Sequence, residues 1–151
     1  MHMKWTIIVL AFVFIIAYWL MTERRRQLRL KADRKDLTAD EFTEFFESNG
    51  IPKSFTTVIY GYLQGLLAVK GVPITPEDDL QEMLGIGSSS GVLLDDAVED
   101  ALLLVKVNFP FKQHMEIFAQ ENGWSGKVHD LVKLLFFLKC KSEEMGVNQT
   151  A

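Results

Sequence analysis

The sequence predicts an all-α protein, an N-terminal transmembrane helix followed by a small helical bundle. Three observations predict it. Residues 3–21 (MKWTIIVLAFVFIIAYWLM) form an apolar run without a charge between Trp5 and Met21. Phe55, Val58, Ile59, Tyr62, Leu63, Leu66 and Leu67 recur at the three-and-four spacing of a buried helical stripe. Helix start and stop signals punctuate what remains. The 151 residues allow one domain of ordinary size plus attachments, and an apolar share of 48% suffices for a core.

At about 1.5 Å per residue, roughly 19 helical residues reach about 28 Å, close to the hydrocarbon thickness of about 30 Å. Trp5, Tyr18 and Trp19 sit near the ends of residues 3–21, where amphipathic rings favour the membrane interface. A cleaved signal peptide would have a shorter apolar core and small residues at its cleavage site. Here Tyr18, Trp19, Leu20 and Met21 run into Thr22, Glu23 and arginines, so an uncleaved anchor is expected. Arg24, Arg25, Arg26, Arg29, Lys31, Arg34 and Lys35 then crowd one tether, residues 22–36. Basic flanks stay cytoplasmic and this one outweighs Lys4, so a single-pass topology is expected, with the N-terminus outside and the C-terminal domain in the cytoplasm. Membrane lipid is the expected partner of residues 5–21 and of the basic cluster. The tether itself reads as a solvated helical extension or as a recogniser of anionic lipid.

The helical domain is expected over residues 37–141. Thr38 and Glu41 form a capping box, with Leu37 and Phe42 spaced as a hydrophobic staple, and a helix over residues 38–48 carries Phe42, Phe45 and Phe46 on one face. Asn49-Gly50 ends it, and Ile51-Pro52 opens the striped helix. Gly61 and Gly65 lie beside that stripe, which predicts the close approach of another element, and Lys70-Gly71 closes the helix. Val72-Pro73 is extended. Thr75 is then the expected N-cap, with Pro76 at the first helical position and Glu77, Asp78 and Asp79 complementing the dipole, before an inner face of Leu80, Met83 and Leu84. Residues 85–91 hold glycines and serines and read as a flexible loop. From Leu93 a further helix buries Leu94, Val98, Ala101, Leu102 and Val105, with Asp95, Asp96, Glu99 and Asp100 near its start. A short helix over residues 112–120 leads to the last, in which Ser125 caps a stripe of Val128, Leu131, Leu134, Leu135 and Leu138. Val132, Phe136 and Phe137 widen that surface and are expected to meet the helix over residues 38–48 or to offer a patch to a partner. Residues 142–151 read as a polar, flexible tail.

Residues 73–98, PITPEDDLQEMLGIGSSSGVLLDDAV, resemble the loop and second helix of an acyl carrier protein, in which Leu-Gly-x-Asp-Ser carries the serine that accepts phosphopantetheine. Leu84-Gly85-Ile86 matches that turn, Gly87 stands in the place of the aspartate, and about five extra residues separate Ser88 from the acidic helix. The likeness covers residues 52–140. It implies a carrier-like bundle in which the acidic helix of Asp95, Asp96, Glu99 and Asp100 docks on a basic patch of a partner protein; a charge-complemented first turn explains the same acids without a partner.

Catalysis is not encoded locally. A nucleophilic serine needs a base oriented by a third group, and His129 and Asp130, as helix neighbours, are expected to point apart. The single Cys140 forms no internal disulfide and reads as inert, no Cys/His cluster has zinc spacing, and the acidic domain argues against nucleic acid as a partner. The expectation is a membrane-tethered, non-catalytic, acyl-carrier-like module that docks an unknown cytoplasmic protein and holds no cofactor or metal. The alternative is a true acyl or peptidyl carrier with 4'-phosphopantetheine on Ser88, or on Ser89 or Ser90. An unrelated helical bundle is the third reading.

Overall fold

Hydrophobic length sets the first element. The computed structural model describes residues 2–87, 93–107 and 110–146, with side chains from Trp5 onward. Helix α1 (His2–Asp33) runs unbroken through the apolar segment and most of the basic tether. Between Trp5 and Met21 every large apolar side chain is exposed, from 44% for Ile16 to 75% for Tyr18. No other part of the described chain covers this stretch, which is long and apolar enough to cross a membrane.

Past Met21 the same helix acquires a protein partner. At about 3.6 residues per turn, positions 23, 27, 30 and 34 share one face. Gln27 on that face is 3% exposed, and Leu30 packs against the core. The expected solvated extension is therefore corrected: one face of the tether is part of the bundle.

The bundle comprises α2 (Ala39–Glu47), α3 (Lys53–Leu66), α4 (Leu80–Leu84), α5 (Leu94–Leu104), α6 (Lys112–Asn122) and α7 (Val128–Glu144). Among the described residues there is no strand, and one isolated bridge pairs Asp79 with Lys127. Helix α7 is the central rod, packed on α3, α5 and α6, while α2 packs on α3. Val128, Leu131, Val132, Leu134, Leu135 and Leu138 on α7 are all at most 1% exposed. The capping box opens α2 as its residues require: Glu41 N–H donates to Thr38 Oγ1 at 3.3 Å, and Thr38 N–H to Glu41 Oε2 at 2.7 Å. Phe42 and Phe46 turn inward. Phe45 faces water and meets the edge of Phe46 at 5.1 Å.

Several local expectations change for identifiable reasons. On α3 the buried line is Phe55, Thr56, Ile59 and Leu63. Val58, 42% exposed, lies on the water side with Ser54, Thr57, Gly61 and Gly65. A Cβ added at either glycine would meet nothing within 4 Å, so no element among the described residues approaches there. Helix α3 ends at Leu66, short of Lys70-Gly71. The N-cap of α4 is Asp79, whose Oδ1 accepts from Gln81 and Glu82 N–H at 2.9 Å each; Thr75 opens a turn closed by its own N–H to Asp78 Oδ2 at 2.7 Å. Gly85, at φ 71°, ends α4 in the left-handed region. Phe136 and Phe137 meet Phe55 of α3 and Phe118 of α6, each at 5.5 Å, because they flank the leucine stripe on opposite sides. Helix α7 continues to Glu144 with Ser142 buried, past the expected start of the tail.

Leu63 and Leu135 are both 0% exposed. Truncating either to Ala should cost about 2 to 5 kcal/mol through lost burial and a residual cavity, whereas Val58→Ala should stay within about 0.5 kcal/mol. Urea titration of the full chain in mild detergent checks the contrast, and equal losses at all three positions would show that the inner faces are misassigned.

Candidate functional site

Helix α5 divides sharply by helical phase. Ala97, Val98, Ala101 and Leu102 are at most 2% exposed and carry the helix on the core. Asp96, Glu99, Asp100 and Leu103, at the i, i+3, i+4, i+7 spacing of one face, look outward. The three carboxylates make no hydrogen bond or ion pair among the described residues. Leu103 and Leu104 are 62% and 54% exposed in a bundle that buries most of its leucines. Asp95, the fourth acid expected there, is half-buried and faces Lys112 Nζ of α6 at 3.2 Å. The structure thus brings Asp96, Glu99 and Asp100 into one stripe and gives Asp95 a separate, exposed ion pair.

Close to Asp100 the Tyr62 hydroxyl of α3 is buried with no hydrogen-bond partner among the described residues. Burial, reinforced by the Asp100 charge, pushes it up to about 12. It stays neutral and adds no charge to the acidic face.

The serine loop is described as far as Gly87; Ser88, Ser89 and Ser90 lie outside the described residues. A cleft of about 350 Å³ borders Gly87, walled by Leu80, Ile86, Leu94 and the half-exposed Trp124. Asp79 alone among its described lining residues is ionisable, and its Oδ1 is engaged in capping α4.

His129 and Asp130 do not point apart as expected. His129 Nε2 lies 3.0 Å from Asp130 Oδ1, while Nδ1 lies 3.2 Å from the Pro76 carbonyl and 3.5 Å from Glu77 Oε1. The ring bends back because Pro76 and Glu77 offer it acceptors on the turn before α4. Ser125 Oγ donates to Asp130 Oδ2 at 2.7 Å. Serine and histidine therefore address one carboxylate rather than each other, and a relay needs the base on the nucleophile. The arrangement holds α7 to the turn over residues 75–79. Ser125 is not the N-cap of α7; Lys127 is. Asp130, at the third helical position, collects Ser125 N–H at 2.7 Å and Lys127 N–H at 3.3 Å. Burial alone would raise that carboxyl, but these donors hold it below the usual carboxylate range.

Burial pushes the half-buried Cys140 thiol up, with Glu143 adding to it, which disfavours the reactive thiolate. No group of three His, Cys, Asp or Glu among the described residues could hold a metal ion.

Sequence reasoning missed the inner face of the tether. Arg34 forms a two-pronged bond to Asp78, 2.7 Å on each arm, and donates to the Pro73 carbonyl at 3.1 Å. Gln27 Oε1 accepts from Val69 N–H at 2.9 Å, Lys31 Nζ donates to the Lys70 carbonyl at 2.8 Å, and Arg26 reaches the Glu82 carbonyl. The available signal was the recurrence of Glu23, Gln27, Leu30 and Arg34 at helical spacing inside a charge run.

In comparisons with protein-family models, curated proteins and solved structures, nothing matches this chain.

Asp130→Ala should cost about 1 to 3 kcal/mol by leaving its donors unpaired. The folded carboxyl lies below its unfolded value, so its contribution is present above about pH 4 and fades as pH falls through the folded value. Thermal melts from pH 7 to pH 3, both order-of-magnitude bounds around that carboxylate range, should be flatter for the variant than for wild type. Parallel curves would remove Asp130 from the role.

Proposed function

We propose that the protein is a membrane-anchored, non-catalytic docking module. Helix α1 anchors it, the inner face of the tether fixes the bundle beneath the bilayer, and the outer face of α5 captures a partner protein that carries a basic patch beside an apolar socket. The observation that carries this reading is the stripe of Asp96, Glu99, Asp100 and Leu103, exposed on a helix whose other side is fully buried. Charges arranged this way steer encounter and reject wrong partners, and an apolar anchor among them supplies the desolvated contact that holds a complex together.

Two further features support it. The basic cluster beyond the span favours a cytoplasmic bundle, where soluble partners are at hand. The likeness to acyl carrier proteins supplies a precedent for an acidic helix docking on basic surfaces, and Gly87 in place of the aspartate favours a module without the prosthetic group.

The test is affinity capture of the full chain from solubilised membranes, compared with a variant carrying Asp96→Lys, Glu99→Lys and Asp100→Lys. The partner recovered with wild type should fall by at least about tenfold with the charge-reversed chain and persist with Ser88→Ala. Undiminished recovery by the reversed chain would overturn the docking face. An intact mass raised by one 4'-phosphopantetheine, and restored by Ser88→Ala, would replace this reading with that of a true carrier.

A further inference from the structure

The basic residues of α1, with Arg34 just beyond it, fall into two sets, an inner one bonded to the protein and an outer one exposed. The inner set is spent on the protein: Arg26 pairs with Glu23 at 2.8 Å, Lys31 donates to the Lys70 carbonyl, and Arg34 is held by Asp78. Arg24, Arg25 and Arg29 are exposed along the flank and back of the helix, with Leu28, 49% exposed, among them. None of the three arginines makes a hydrogen bond or ion pair among the described residues. The acids close by are already engaged, Glu23 by Arg26 and Gln27, and Asp78 by Arg34.

We infer that Arg24, Arg25 and Arg29 form a binding face for anionic lipid headgroups, distinct from the face of the same helix that grips the bundle. The inference rests on the membrane reading of α1. At about 1.5 Å per residue the three Cα atoms stand about 5, 6 and 12 Å beyond Met21. The polar layer outside the hydrocarbon is roughly 5 to 8 Å deep on each side, and Arg29 is long enough to reach back into it. Lys35 lies past the end of α1, which itself stands about 18 Å beyond Met21 and more than a screening length of about 8 to 10 Å outside the hydrocarbon, so it is outside the face. A guanidinium presents paired donors that match a phosphodiester. The residues from Leu37 onward are strongly acidic and would be repelled by an anionic leaflet. The outer arginines supply the opposing attraction at the point where the chain leaves the bilayer, which keeps the bundle close to the surface.

Full-length protein is reconstituted into bilayers of phosphatidylcholine doped with spin-labelled phosphatidylglycerol or spin-labelled phosphatidylcholine, and the motionally restricted fraction of each probe is read. Wild type should enrich the anionic probe over the zwitterionic one by about fivefold or more. The combined Arg24→Gln, Arg25→Gln and Arg29→Gln variant should lose that preference. A charge-matched variant with Lys106→Gln, Lys112→Gln and Lys133→Gln, all exposed on the bundle, should keep it. Equal preference for both probes in wild type, survival of the preference in the arginine variant, or its loss in the lysine variant would each overturn the inference. A chain that fails to incorporate into either bilayer would overturn the membrane reading together with it, whereas incorporation without preference overturns this inference alone.

Discussion

The Arg34–Asp78 bond is the interaction on which the rest of the architecture depends. It joins the C-terminal end of the long apolar helix to the connector between α3 and α4, with Asp78 8% exposed. That carboxylate also takes the Thr75 N–H, so one side chain closes a turn and receives a distant helix. A half-buried, two-pronged pair of this kind is strong when complete and costly when one partner is lost, because the other charge stays desolvated.

The reason lies in the connector's backbone. Between Leu67 and Asp79 the chain is irregular while Val72, Pro73 and Ile74 are buried, so its amides and carbonyls need partners from elsewhere. Helix α1 supplies many of them: Gln27 for Val69, Lys31 for Lys70 and Arg34 for Pro73. Gln64 of α3 takes the rest of the turn, donating to the Val72 carbonyl at 2.5 Å and accepting from Gly71 N–H at 3.2 Å. The inner face of the tether is therefore the hydrogen-bonding complement of an irregular segment, with Arg34 adding an ion pair to Asp78. The consequence for function is orientation. With α1 fixed to the connector, α7 fixed to the same connector by the Val128 N–H on the Asp78 carbonyl at 2.8 Å and the His129 N–H on the Pro76 carbonyl at 2.9 Å, and α5 packed on α7, the outward stripe of α5 holds a defined attitude to the long apolar helix.

What the sequence discloses is local. The capping box at Thr38, the inner face of Leu80, Met83 and Leu84, and the α7 stripe are each set by residues within a turn or two of one another, and the structure has them as read. The misreadings share a cause: each group reads by its nearest backbone, while the structure gives it a partner beyond its own helical turn. Asp78 reads as a dipole complement and binds a guanidinium 44 residues away. Ser125 reads as an N-cap and is a donor to Asp130. His129 reads as turned from Asp130 and is bent onto it by the Pro76 carbonyl, 53 residues distant. Gly61 and Gly65 read as a site of close approach because glycine in a helix costs stability, yet the space beside them is open and the structure gives no account of them. Of the candidate site, the acids were legible as a cluster and Leu103 shares their helical phase; that Asp95 turns to Lys112 depends on where α6 lies, which no local pattern encodes.

The central claim is that the long apolar helix and the bundle move as one body. Double electron–electron resonance between labels at Ala32 and Lys133, both exposed, in a Cys140→Ser background and a lipid bilayer, tests it most directly. The account predicts a single narrow distance distribution that broadens when Arg34→Ala removes the clamp. A broad distribution in the chain with Arg34 intact would show a bundle swinging freely on its tether and would contradict the account.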